Sequence, residues 1–303
     1  MSSILASAVQ AAPVFFDKEK TLQKIGDLIS ETAKTKSQLI LFPEVFIPGY
    51  PRGLTFGASV GGRTPQGRDL FLRYWENAIE VPGKATTQIG NWAKAAKAFV
   101  VVGVTERDKI SDTLYCSLLY FSPEGNLLHR HRKIKPTASE RIIWGEGNGG
   151  DLNVLDTPIG KLGGLICWEN YMPLARVALY QQGIEIYVAP TADCRDTWQA
   201  TLAHIACEGR CFVIGCNQYL TKEHYPSDLR ALLQDDHPSL PSTGGSVIIN
   251  PLGKILAGPL FGKEGIITAE IDHRDIVRAK MDFDVIGHYA RPDIFSFEWL
   301  KGK

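Results

Sequence analysis

Short apolar runs alternate with stretches of helical periodicity along the chain. Ile4 to Gln10 reads as a buried strand, and Asp17 stands as an N-cap before Leu22, Ile25, Leu28 and Ile29 on one helix face. A strand over 38–42 follows. Residues 48–68, rich in Gly, Pro and Arg, read as a long loop, the kind that in a compact domain is functional or at an interface. The pattern then predicts a helix near 84–97 and a strand over 99–104. A hairpin comes next, with arms Leu114 to Phe121 and Leu127 onward around Ser122-Pro123-Glu124-Gly125-Asn126. The second half predicts strands over 162–167, 184–189 and 211–218, separated by helices over 173–182 and near 197–209. The polar stretch 219–242, which holds Asp235-Asp236, reads as a surface excursion. A second hairpin turns at Asn250-Pro251-Leu252-Gly253, so each α/β half closes on an apolar run, Pro-x-Gly and another apolar run. That repetition predicts an internally duplicated α/β architecture with two sheets. No clean linker interrupts it, which makes 1–303 one domain.

Three polar residues end apolar or paired segments in a way that suggests chemistry. Cys167 closes Leu162-Gly163-Gly164-Leu165-Ile166 and precedes Trp168-Glu169-Asn170. A buried strand that delivers a thiol into a polar turn holds a nucleophile rigid yet reachable. Glu44 follows Leu39-Ile40-Leu41-Phe42-Pro43, and Lys133 follows Leu127-Leu128-His129-Arg130-His131-Arg132. Taken singly, each has an ordinary structural reading. A cysteine at a strand end is a small hydrophobe, a carboxylate there is a solvated loop residue or cap, and a basic run is a solvated face. His129 and His131 alternate with arginines and read as strand-edge residues.

Bulk properties narrow the class. The 33 basic and 33 acidic side chains cancel, against the basic excess of a nucleic-acid binder. No apolar run reaches the ~20 residues of a membrane span, and no Lys or Arg precedes Lys18 to form a signal-peptide n-region. The six cysteines contain no CxxC pair, which argues against zinc and against a disulfide framework, and points to a reducing cytoplasm. Cys207 and Cys211, four apart, read as core packing near a helix end.

Read together, the segments Phe42-Pro43-Glu44, His131-Arg132-Lys133-Ile134-Lys135-Pro136-Thr137 and Cys167-Trp168-Glu169-Asn170 closely resemble the three signature regions of the nitrilase superfamily, its nitrilase branch in particular. Tyr50-Pro51-Arg52-Gly53, Glu140-Arg141-Ile142-Ile143-Trp144-Gly145-Glu146-Gly147, Ala189-Pro190-Thr191-Ala192-Asp193 and Gly287-His288-Tyr289-Ala290-Arg291-Pro292-Asp293 extend the likeness over nearly the whole chain. The resemblance implies a four-layer αββα sandwich with pseudo-two-fold duplication, a Glu44–Lys133–Cys167 triad, no metal and no cofactor. It makes Glu140 a fourth acidic position that orients Lys133 or the substrate, where the structural alternative is a salt bridge to Arg141. Trp168 and Tyr50 become candidates for shaping the pocket, and the Trp168 N–H a second oxyanion donor beside Lys133. Glu44 would take the thiol proton, and Lys133 would lower the thiol pKa.

The implied reaction is hydrolysis of a small-molecule nitrile to acid and ammonia through a thioimidate and a thioester, with some amide as by-product. An amidase or carbamoylase of the same superfamily, a cyanide hydratase, and a non-catalytic binding protein are the alternatives. Two departures stand out. Asn148 occupies a position where nitrilases usually carry aspartate, and the chain closes soon after Arg291-Pro292-Asp293, where spiral-forming relatives carry longer tails. The expected assembly is therefore a homodimer or a higher homo-oligomer short of a spiral.

Overall fold

A computed structural model describes residues 3–233 and 241–300. The first half contains β1 (Ile4–Gln10), α1 (Lys18–Ala33), β2 (Leu39–Leu41), α2 (Pro65–Glu76), β3 (Ile79–Glu80), α3 (Lys84–Ala96), β4 (Phe99–Arg107), β5 (Leu114–Phe121) and β6 (Leu127–Arg132). The second contains β7 (Leu155–Thr157), β8 (Gly160–Gly164), α4 (Pro173–Tyr180), β9 (Ile186–Thr191), α5 (Asp196–Gly209), β10 (Phe212–Asn217), β11 (Tyr219–Leu220), α6 (Ser227–Arg230), β12 (Ser242–Ile249), β13 (Ile255–Phe261), β14 (Gly265–Ile271) and α7 (Arg274–Ala279).

The strands form two seven-stranded sheets with matching topology. In one, β1, β2 and β4 run parallel, and β5 and β6 follow antiparallel. In the other, β8, β9 and β10 run parallel, and β12 and β13 follow antiparallel. Each sheet gains one more antiparallel strand beside its first, β14 on β1 and β7 on β8. The internal duplication expected from the two hairpins is thus present in six strands of each sheet, while the seventh differs, β3 lying parallel on β4 and β11 antiparallel on β12.

Side-chain alternation explains the layering. On β4, Val101 joins a core with Ala6, Leu41, Val188 and Ile214, drawn from both sheets, while Val100 and Val102 face Leu22, Ile25 and Ile29 of α1 and Ile89 of α3. A second outer core packs Leu179 of α4 and Leu202 and Ile205 of α5 on Tyr187 and Val213. Both faces of each sheet are covered, so central strands read as unbroken apolar runs rather than alternating ones. The result is the αββα sandwich.

Three local expectations change. Part of the stretch read as a loop is α2, capped by Thr64, whose hydroxyl accepts from the Gly67 N–H. Its polar surface hid its period, since only Gly67 and Tyr74 are buried. The strand expected to reach 167 ends at Gly164. The excursion 219–242 is partly core, because Leu220, Tyr225 and Leu229 are buried and Tyr225 stacks on Phe15 at 4.5 Å. Asp235-Asp236 lies outside the described residues. Helix α5 ends at Gly209, and Cys207 in its last turn and the buried Cys211 just beyond it lie near that helix end, as read. Among the described residues, no helix is long and apolar enough to cross a membrane.

One glycine seats the segment carrying Glu44. A Cβ on Gly103 of β4 would lie 2.3 Å from the Pro43 carbonyl oxygen and 2.7 Å from the Glu44 Cα. The Gly103 carbonyl also accepts the Phe46 N–H at 2.7 Å. A Gly103→Ala variant is expected to lose about 1–3 kcal/mol of stability through overpacking. Because backbone is what must give, Glu44 moves as well, and a Cys167 alkylation rate that falls along with the denaturation midpoint is the expected observation.

Candidate active site

Glu44, Lys133 and Cys167 leave the ends of β2, β6 and β8 and meet in the interior between the sheets, each almost fully buried. The Lys133 ammonium donates to Glu44 Oε1 at 2.7 Å and to Glu140 Oε2 at 2.8 Å. Glu44 Oε2 accepts the Ala192 N–H at 2.8 Å, so strand ends from both halves hold this carboxylate. Glu140 accepts the Tyr50 hydroxyl and the Thr137 N–H, both at 2.7 Å. Arg141, the alternative partner for Glu140, instead donates to the Ala138 carbonyl. The Thr191 hydroxyl donates to the Cys167 sulfur at 3.1 Å, and the Cys116 thiol lies 3.6 Å from Glu44 Oε1.

Burial sets the electrostatics. Desolvation raises Glu44 above the ordinary carboxylate range, although the Lys133 charge pulls it down. Desolvation opposes the charge on Lys133, but Glu44 and its other neighbours outweigh it and hold the ammonium well above its ordinary value. For Cys167, burial and then the Glu44 charge push the thiol well up, and Lys133 only partly offsets them. Lys133 pulls this pKa down as expected, but burial and Glu44 outweigh that pull. A dry pocket penalises a thiolate more than one shared ammonium favours it.

The backbone is bent where the chemistry would sit. Cys167 (φ 50°), Val45 (φ 44°) and Ala138 (φ 46°) all adopt the left-handed conformation. For non-glycine residues this costs about 1–3 kcal/mol each and persists only where surroundings impose it. Asn170 holds the Cys167 turn, its amide donating to the carbonyls of Leu165 and Cys167 at 3.0 and 2.8 Å.

A cavity of about 240 Å³ opens over Cys167 and Glu140, walled by Trp168, Tyr50, Arg52 and Asp193. The Trp168 indole donates to Asp193 at 2.8 Å and lies under the Arg195 guanidinium, 4.7 Å from its ring centre. A neighbouring cavity of about 400 Å³ shares Tyr50, Arg52 and Glu140 and adds the apolar Leu54, Ile142, Ile143 and Trp144. Together they offer a polar reacting end and an apolar recess, as small-molecule sites do. Among the described residues, no group of three or more His, Cys, Asp or Glu could hold a metal.

Sequence reasoning missed several participants. Thr191 and Ala192 sat in a quoted motif but carried no assigned role, and Cys116 carried none either. His131 is on an edge strand as expected, yet it is buried and pairs with Glu169 at 2.9 Å. Asn148, the unexplained departure, caps a short 3₁₀ turn by accepting the Gly150 N–H at 3.0 Å.

Comparison with known proteins adds four findings. The carbon-nitrogen hydrolase family profile matches residues 5–281. A bifunctional nitrilase/nitrile hydratase of Nicotiana tabacum is 49% identical over 298 residues, covering 97% of this chain and 85% of the relative. An aliphatic nitrilase of Sinorhizobium fredii is 49% identical over 296 residues, covering 98% and 95%. Among solved structures, the Saccharomyces cerevisiae member of branch 10 of the nitrilase superfamily superposes with a TM-score of 0.74 at 23% identity, covering 97% of both chains.

Proposed function

Because the chain belongs to the carbon-nitrogen hydrolase family, we propose that it hydrolyses an organic nitrile to the carboxylic acid and ammonia, with Cys167 as nucleophile, Glu44 as general base and Lys133 as fixed cation. The observation that carries this reading is one buried ammonium shared by two carboxylates beside a thiol at the floor of a cavity. Nitrilases among the relatives at about half identity support the nitrile as substrate.

The thiol rests protonated, so its deprotonation accompanies attack. Cys167 Sγ bonds to the nitrile carbon as Glu44 takes the sulfur proton and returns it to nitrogen, giving a thioimidate. Lys133 and the Trp168 N–H stabilise charge as it develops on nitrogen or oxygen. Water adds to the thioimidate carbon with Glu44 taking its proton, the C–N bond breaks, and ammonia leaves a thioester. A second water then breaks the C–S bond, releasing the acid and regenerating the thiol. Breaking C–S at the first tetrahedral stage releases the amide instead. Glu140 and Tyr50 hold Lys133 in place, and Trp168 with Tyr50 shapes the acyl side of the pocket.

The same proposal takes the whole chain as one hydrolase domain, located in the cytoplasm, where six free cysteines are stable. It includes self-association beside α4, supported by the exposure of Leu174 (68%) and Tyr171 (41%). The test is ammonia, acid and amide release across arylaliphatic, aliphatic and cyano-amino-acid nitriles, with matched amides. Acid and ammonia from at least one nitrile is the expected result. Turnover of amides alone would move the protein to the amidase branch.

A further inference from the structure

We propose that Glu169, clamped by His131, is a positioning residue that sets the spacing of Lys133 against Cys167 and thereby the acid-to-amide outcome. The proposal rests on the nitrilase reading above. Glu169 Oε1 accepts the Ile134 N–H at 2.6 Å, and Oε2 accepts the Ile166 N–H at 2.8 Å. Those two amides belong to the residue after Lys133 and the residue before Cys167. One carboxylate therefore ties the backbone of the ammonium to the backbone of the thiol, across segments that leave different sheets. His131, two residues before Lys133, adds a third tie through Nε2, which lies 3.2 and 2.9 Å from the two oxygens.

The chemistry of this bridge demands a carboxylate. Both oxygens face backbone N–H groups, so glutamine would turn its NH₂ toward one of them, donor against donor. The His131 Nδ1 lies 3.3 Å from the Asp151 carbonyl, so both ring nitrogens face acceptors, as an imidazolium requires. Burial works against both charges, yet the pairing holds His131 above its ordinary pKa and Glu169 below its own. A buried ion pair is a poor way to gain stability compared with apolar packing, and its better-attested use is to impose one geometry.

That geometry matters at the tetrahedral stage. The nitrogen leaves if it receives the proton first, and the sulfur leaves if it does. Which atom is served depends on where Lys133 and Glu44 stand relative to Cys167 Sγ. Displacements well under an ångström change such outcomes strongly. The bonds of Glu169 to this region run to backbone N–H groups and to His131, so its effect passes through the backbone.

The experiment compares Glu169→Gln and His131→Gln with wild type on one nitrile, phenylacetonitrile, after circular dichroism confirms folding. Two readouts are taken, the acid-to-amide ratio and the rate of Cys167 alkylation by iodoacetamide. Glu169→Gln is expected to shift the ratio by at least ~3-fold and slow alkylation by at least ~10-fold, and His131→Gln to shift the ratio in the same direction by ~2-fold. A merely structural role would reduce the amount of active protein and leave the ratio unchanged. Folded variants with wild-type ratio and wild-type alkylation overturn the proposal. If Glu169→Gln does not fold, His131→Gln decides by the same criteria. If wild type leaves phenylacetonitrile untouched, the nitrile it turns over best in the panel above takes its place; if it turns over none, the nitrilase reading fails by itself, and the alkylation rates still decide the positioning role.

Discussion

Replacing Cys167 by alanine is expected to abolish nitrile turnover, a loss of at least ~10⁴-fold, while leaving the fold in place. The side chain is small, accepting from the Thr191 hydroxyl and hydrogen-bonding Glu44. Deleting a single sulfur from a packed site costs on the order of 1 kcal/mol. The chemical loss is much larger, because no neighbouring group can substitute. Thr191 is a neutral alcohol, and the Cys116 thiol is itself buried and pushed well above the ordinary thiol range, first by desolvation and then by Glu44. Intact-mass analysis after incubation with nitrile should show an acyl adduct on wild type and none on the variant. A variant that keeps even a tenth of the wild-type rate would remove sulfur from the mechanism.

The second large effect is expected from Lys133→Met. The side chain keeps its length and loses its charge, which leaves Glu44 and Glu140 as two buried carboxylates without a cation. Breaking a buried pair from one side costs about 3–5 kcal/mol, and turnover should fall by about 10²–10³-fold with the lost charge stabilisation. The stability deficit should depend on pH in a specific direction. Glu44 is already raised above its unfolded value by burial in wild type, and removal of Lys133 raises it further. A carboxyl with a raised folded-state pKa binds more protons folded than unfolded. It therefore costs stability progressively as pH climbs from the unfolded carboxylate range toward the raised value. Urea denaturation at pH 5 and pH 8 checks this, and the gap between variant and wild type should widen at pH 8. A gap that narrows instead would mean that the two carboxylates find another partner.

How much of this was legible in the sequence follows from what each feature depends on. The neighbourhood of the ends of β2, β6 and β8 was visible because apolar or paired segments stop before Glu44, Lys133 and Cys167, and strand ends at one edge of a sheet are where side chains can converge. The duplication was visible because each hairpin repeats Pro-x-Gly between apolar arms. Helix α2 was hidden because its buried positions are too few to show a 3.6-residue period. The pull of Lys133 on Cys167 was legible because motif order places a lysine beside the thiol, whereas the depth of burial that outweighs it was not. The Glu169–His131 bridge was invisible for a different reason. Its partners are 38 residues apart, and two of its three ties end on backbone N–H groups that carry no residue identity.

The repeat of the two sheets has a further consequence. In the matched topology β2 corresponds to β9, and their registers set Pro43-Glu44 on Pro190-Thr191. One copy thus carries an acid where its twin carries an alcohol. The two strand ends meet at the site with different tasks, Glu44 accepting the Ala192 N–H and Thr191 donating to Cys167. Symmetry built the scaffold, and its breaking made room for chemistry.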